Sequence, residues 1–507
     1  MEPPDRRAAV PRKFVVGPPS AHGIRRPRAE GKEEVTQVEG VTSSAVEVAT
    51  TKPRGPVVST LVIVAVGGTI ATLGLMIPRT SYDIWGGLLI GPILLLTIVP
   101  LAVRTARREH NPAAGRIVLL AALAKLSVGT VARYIVTYGV YHGTADAESY
   151  FTTGMDLAPQ FKRGDFSNLG SISGTHFIEV LSGVVQAIIG QTRLGEFVVF
   201  SWFGFLGLYF MYQAFRIAFP EGDLRRYRWL VFFWPSVVYW PSGIGKDAWI
   251  AMALGMMVLG IANLYVGRWR GVWWLAAGTF ASAIVRPHIT LLVFAAFGVG
   301  LVLRRSAGPG ARLLARPAGT LILVVGMLLA SLVLFAQTAS FFKLDSLDVS
   351  SAQDVLAKAE LQTSEGGSSF TAPDPTSVQG YIAATVTVMF RPFPYEAGSG
   401  AAMIAGGEGL LLIALVFLSL RRISRFPALS LRHAYIAFAG AYCAAFIFAF
   451  SSINNFGILA RERGSQFFPI LFIILAIPKR RVRELPPRMQ LRTPIRHETA
   501  KTASSTA

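Results

Sequence analysis

One cysteine, Cys443, stands in a chain of 507 residues. A disulfide framework and a Cys-rich metal site are therefore excluded. Charge is scarce as well. Only 15% of the residues are Asp, Glu, Lys or Arg, against about a quarter in soluble domains. The seven His are scattered and no His-x-x-x-His pair occurs, so no strong metal constellation is present and no metal or other cofactor is expected. What the chain has in quantity is apolar surface: 52% hydrophobic residues and a mean hydropathy of +0.48. These residues come in blocks long enough to cross a bilayer, about 20 residues each. A soluble enzyme, a disordered chain and a DNA-binding module are excluded. The expected fold class is all-α, a polytopic helical membrane bundle.

Candidate spans are 56–78, 83–103, 116–139, 195–218, 228–243, 246–266, 271–286, 287–304, 317–336, 401–420, 433–453 and 465–478. The basic stretches are the N-tail, Arg104–Arg116, Arg225–Arg228, Arg268–Arg270, Arg304–Arg316, Arg421–Arg432 and the C-tail from Lys479. Lys and Arg in short loops mark the cytoplasmic side. With the weaker segment 176–191 kept out of the count, this gives twelve transmembrane helices with both termini cytoplasmic. The formal net charge of +20 then resides wholly on the inner pieces, while the membrane and outer pieces are slightly acidic. The basicity is a topology signal and requires no nucleic-acid partner. Residues 1–55 and 481–507 read as disordered cytoplasmic tails around a 56–480 bundle. The first apolar run starts too late and is too long for a cleavable signal peptide.

Two long outer loops remain, 140–175 and 337–400, and long loops in compact proteins are commonly functional. The first carries Asp146–Ala147–Glu148, with Tyr150 behind. Two carboxylates two residues apart diverge by about 200° on a helix and meet only if the backbone turns. The 176–191 segment puts Phe177, Val180, Leu181, Val184 and Ile188 on one stripe, as an interfacial outer helix would. Lys246 and Asp247 close the turn Trp240–Asp247 and open the next helix, where N–H groups and the helix dipole favour an anion. Arg286 and His288 flank another outer turn; Arg391 and Glu396 bracket a Pro-stiffened segment; Arg461 and Arg463 precede the last span. Positive charge there runs against the orientation bias. Lys246, Arg286, His288, Arg391, Arg461 and Arg463 thus form a candidate lipid-phosphate site, with Asp247, Glu396 and Tyr150 in support. Intramembrane Lys125 and Glu408 are candidates for a pair.

The arrangement resembles the polytopic C-type glycosyltransferases and the related bacterial envelope polysaccharide polymerases. The likeness rests on Asp146-x-Glu148 with Tyr150 in an early outer loop, the interfacial helix behind it, and the Ser242–Asp247 and Arg391–Glu396 segments. It spans about residues 56–480, mainly as architecture. Two spans precede the one that feeds the acidic loop, where many C-type enzymes have one, and no large soluble C-terminal domain follows. The resemblance implies a bacterial cytoplasmic-membrane enzyme facing outward. It would take a polyprenyl-phosphate-linked sugar as donor and a glycan or lipid as acceptor. Asp146 would be the catalytic base, with Glu148 next. A divalent metal at Asp146 and Glu148 stays open. A polymerase, a lipid-linked oligosaccharide transporter and a non-catalytic scaffold are the alternatives.

Overall fold

Residues 67–68, 71–72, 74–303, 326 and 370–479 are described by a computed structural model of the chain. The tails 1–55 and 481–507, residues 337–369 and most of the spans 56–78 and 317–336 lie outside the described residues. Among the described residues every regular element is helical. In chain order they are α1 Tyr82–Glu109, α2 Pro112–Val140, α3 Asp146–Lys162, α4 Gly174–Ile189, α5 Arg193–Ala218, α6 Leu224–Phe233, α7 Pro235–Tyr239 and α8 Lys246–Tyr265. There follow α9 Gly271–Ala283, α10 Pro287–Val302, α11 Val378–Phe390, α12 Gly400–Phe417, α13 Leu420–Ser430, α14 Ala434–Phe450, α15 Phe456–Glu462 and α16 Phe468–Leu475.

Five of these, α1, α2, α5, α8 and α12, are long and apolar enough to cross a membrane; α13 and α14, bent by 111°, make a sixth if they form one span. The other expected spans that fall within the described residues are shorter or broken. Trp234 is extended, and Pro235, which lacks an N–H, restarts the helix, so 228–243 becomes α6 and α7. The last span is interrupted by a π turn, Arg463–Phe467, before Pro469 in α16. The outer faces of α1 and α12 leave Ile93, Leu96, Ile404 and Phe417 exposed, as helices against lipid would. α8 is the opposite case, with most of its apolar window enclosed by other helices.

The chain ends of the long helices gather charges into two separate groups. α1 and α5 run side by side in the same direction. At their starts Asp83 pairs with Arg193 at 3.3 Å. Towards their far ends Glu109 accepts from Tyr212, and it pairs with Arg228 of α6 at 3.0 Å. The 28 residues of α1 separate the two groups by about 42 Å. The second group also holds Asp223–Arg422 and Glu221–His433, so the basic loops around Glu109, Arg225–Arg228 and Arg421–Arg432 meet at one end. α4 has both its ends at the first group. Thr175 accepts from Lys246 at the start of α8, Gly174 N–H donates to Ile284, and Ile189 accepts from Tyr82 at the start of α1. It therefore lies across that end of the bundle, packed on α3 through Gln186, which donates to the Phe151 carbonyl at 2.9 Å.

Close backbone approach sets the middle of the bundle. Gly207 of α5 lies against the Ala251 carbonyl of α8, and Gly255 of α8 lies against Gly207. Small residues let apolar helices approach without help from water. Gly207→Leu is expected to force α5 from α8 and to lower stability by about 1–3 kcal/mol. Gly407→Leu, where an added side chain meets nothing, is expected to be near neutral. Thermal midpoints in detergent check both.

Candidate functional site

At the end of the bundle that carries Asp83 and Arg193, a cavity of about 280 Å³ opens between α2, α3, α8 and α15. Its charged lining is Arg133, Asp146, Asp247 and Arg461, with Tyr141 and Trp240 as aromatic walls. α2 leads into it through a π turn, Val136–Val140, which re-aims the helix end. His142 and Gly143, both at positive φ, then reverse the chain. Extended Ala145 caps α3, so Asp146 takes its first position, where the helix dipole favours a carboxylate. On the opposite wall, Pro241, Gly243 and Gly245 shape the turn before α8. Gly245 has φ +154°, and a side chain on Gly243 would meet Phe197 and the Arg133 stem at 2.8 and 2.9 Å. The glycine lets Arg133 cross the turn and reach Tyr239 and Trp240.

The structure brings four of the expected residues into one network. Arg461 Nε donates to Asp247, and its Nη1 lies 3.4 Å from Asp146 Oδ2. Arg286 donates to Glu462 and stands 3.8 Å from the other Asp247 oxygen. Gln466 donates to Glu462. Burial of Arg461 opposes its charge, but the carboxylates of Asp247, Glu462 and Asp146 outweigh that and hold it firmly protonated. Asp247 is almost enclosed, whereas the Asp146 side chain is 64% exposed. The acid that faces the opening is therefore Asp146.

The remaining expected residues make none of these contacts, although Lys246 and Tyr150 stand within electrostatic reach of Asp146, Asp247, Arg286 and Arg461. Glu148 points away from the cavity. It takes two hydrogen bonds from Arg193, at 2.6 and 2.9 Å, and one from Tyr138 at 2.9 Å. The Arg193 bonds, against the opposing effect of burial and with help from Tyr138, hold its carboxyl below the usual range. Tyr150 is buried in the core. Lys246 donates to Thr175 at 2.8 Å. His288 sits in the first turn of α10, away from the cavity lining. Arg391 pairs with Glu396 at 2.7 Å and lies over the rings of Phe370 and Phe456 at 4.7 and 5.0 Å. Arg463 is fully buried and donates to the Arg391 and Met389 carbonyls, closing the C-terminal end of α11.

Lys125 and Glu408 do not pair with each other. Lys125 donates to the Val237 and Val238 carbonyls at 3.0 and 3.2 Å and to Ser242 at 3.1 Å. Glu408 accepts from Ser236 N–H at 2.8 Å. The short α7 thus has a carboxyl group at its N-terminal end and an amino group at its C-terminal end. Among the described residues no three His, Cys, Asp or Glu side chains converge as a metal site. Arg133, Tyr141 and Trp240 line the cavity without having been singled out as site residues. Arg133 carried a signal, as a charge near the end of an apolar span; the two aromatics carried none.

Comparison of the chain with family models, curated proteins and solved structures gives no match.

Proposed function

We propose that the protein is a membrane glycosyltransferase of cell-envelope glycan synthesis that uses a polyprenyl-phosphate-linked sugar. In this reading twelve spans cross the bacterial cytoplasmic membrane, both termini lie inside, and the cavity opens outside. One observation carries it: a single cavity joins an open carboxylate, Asp146, to the guanidinium groups of Arg461 and Arg133 and to the rings of Tyr141 and Trp240. Its volume is near the lower end of small-molecule sites, about 300 Å³. An apolar groove of about 430 Å³ between α1, α2 and α5, lined by Leu95, Leu126, Val131 and Val198 among others, would take part of a prenyl chain. α2 serves both, giving Leu126 and Val131 to the groove and Arg133 and Tyr141 to the cavity.

Asp146 takes the proton of an acceptor hydroxyl as its oxygen bonds to the anomeric carbon. The bond from that carbon to the phosphate oxygen breaks, and the electron pair leaves with the phosphate, whose charge the guanidinium groups offset. Proteoliposomes given a labelled polyprenyl-phosphoryl sugar and a glycan acceptor test this. The expected result is a new glycosidic bond with release of polyprenyl phosphate; a polymerase of the same setting would give a product ladder. The second reading is a lipid-linked oligosaccharide transporter, favoured by the interrupted helix α6–α7 with Lys125 and Glu408 at its α7 ends. Movement of labelled lipid between leaflets with no new glycosidic bond would replace the first reading by the second.

A further inference from the structure

Two groups in the cavity have binding capacity that the protein does not use. Arg461 is compensated by Asp247 and touches Asp146. Arg133 has no such partner. Among the described residues no carboxylate lies within 4.0 Å of it. Its guanidinium instead lies against the rings of Tyr239 and Trp240, at 5.3 and 4.9 Å, with one hydrogen bond of 3.3 Å to Tyr239 Oη. Those rings and the Gly243 crossing fix its direction, yet leave most of its five N–H donors free. The second group is Asp247. The residue is 4% exposed, and its Oδ1 accepts no hydrogen bond from the described residues; Arg286 Nη2 stands 3.8 Å from it. A buried carboxylate oxygen without a donor is costly to leave empty.

We infer that Arg133 and Asp247 form a two-point subsite for a sugar phosphate, which names the part of the substrate held in the cavity. The Arg133 fork binds a phosphoryl oxygen, and Asp247 Oδ1 accepts a hydrogen bond from a sugar hydroxyl. A single uncompensated guanidinium fits one phosphoryl group. A hydroxyl donor is what an unfilled carboxylate oxygen takes without adding another buried charge. Trp240 and Tyr141 line the same cavity and give a sugar ring apolar surface to pack on. Lys246, Arg286, Arg391 and Arg463, each held by a protein partner, are outside this subsite. The inference rests on the transferase reading for the lipid beyond the phosphate, and on the cavity alone for the sugar and phosphate.

The test uses the full-length protein in nanodiscs with three probes: inorganic phosphate, glucose 1-phosphate and farnesyl phosphate. Arg133→Gln is expected to weaken all three at least tenfold. Asp247→Asn is expected to weaken glucose 1-phosphate while leaving inorganic phosphate within twofold. Arg163→Gln, an exposed cation beyond α3, is expected to change none. Should either cavity variant fail to fold, phenylglyoxal labelling of the unaltered protein, read at Arg133 by mass spectrometry, replaces it. Glucose 1-phosphate is expected to slow that labelling at least tenfold. Wild-type affinities in Arg133→Gln, labelling unaffected by the sugar phosphate, or no binding of any probe by the unaltered protein would each overturn the subsite. Intact glycosyl transfer in Arg133→Gln would remove the subsite and keep the transferase. Binding at Arg133 with no transfer in proteoliposomes would keep the subsite and remove the transferase.

Discussion

In proteoliposomes, Asp146→Asn is expected to leave the protein folded and to lower glycosyl transfer by about 10²–10⁴-fold, the usual span for loss of a positioned general base. Two properties of Asp146 separate chemistry from stability. Its side chain is 64% exposed, and its one ionic contact among the described residues, to Arg461, is long at 3.4 Å. Its favourable place at the start of α3 contributes at most about 1 kcal/mol through the helix dipole, and Asn is itself well tolerated at a helix start. The amide keeps the size and the hydrogen-bonding oxygen but has no lone pair basic enough to take a hydroxyl proton. The thermal midpoint should therefore move little while the transfer rate falls. A mutant rate equal to that of the unaltered protein would take Asp146 out of the reaction. A lost rate with a collapsed midpoint would mark it as structural.

Much of the architecture was legible because hydrocarbon imposes simple rules. Blocks of apolar residues gave the long helices α1, α2, α5, α8 and α12 but neither α3 nor α11, which lie within the expected outer loops 140–175 and 337–400, and the basic loops gave the end where Glu109, Arg228, Asp223 and Arg422 meet. Helical geometry also foretold that Asp146 and Glu148 diverge unless the chain turns between them. It does not turn there, and Arg193 takes Glu148. What composition cannot supply is pairing across distance. Arg461 and Asp247 are 214 positions apart, and nothing in either turn names the other. Lys125 and Glu408 were conspicuous as charges inside apolar spans, yet they meet backbone groups at the two ends of α7, and Lys125 also Ser242. Those groups are available only because Pro235 restarts the helix after an extended residue. Arg133 was visible as a charge, but its use depends on Gly243 admitting its stem and on two rings from another element.

Arg461→Gln is expected to be the most damaging single change to stability at this end of the bundle, costing about 3–5 kcal/mol, the usual result of stranding one partner of a buried pair. The side chain of Asp247 is only 6% exposed, and Arg461 supplies the sole hydrogen bond to it from the described residues. Arg286, at 3.8 Å from the other oxygen, offsets part of the loss and also serves Glu462, so the effect should lie toward the low end of that range. Asp247→Asn alone should cost less, because it removes the charge that needs a partner, although it leaves Arg461 with Asp146 and Glu462. The double variant is the informative one. If the two side chains act as a pair, its loss of stability will be smaller than the sum of the single losses by more than about 1 kcal/mol, well above the additivity error of independent sites. Chemical unfolding in mild detergent measures the three differences. Additive losses would mean that Arg461 is held by the fold around it and not by Asp247. In that case Arg461 could not be the residue that ties the start of α8 to α15 and sets the cavity wall opposite Asp146. Arg461→Lys separates charge from geometry. A Lys keeps the charge but loses the fork that contacts Asp247 through Nε and Asp146 through Nη1 at once. It should therefore recover part of the stability and little of the transfer activity.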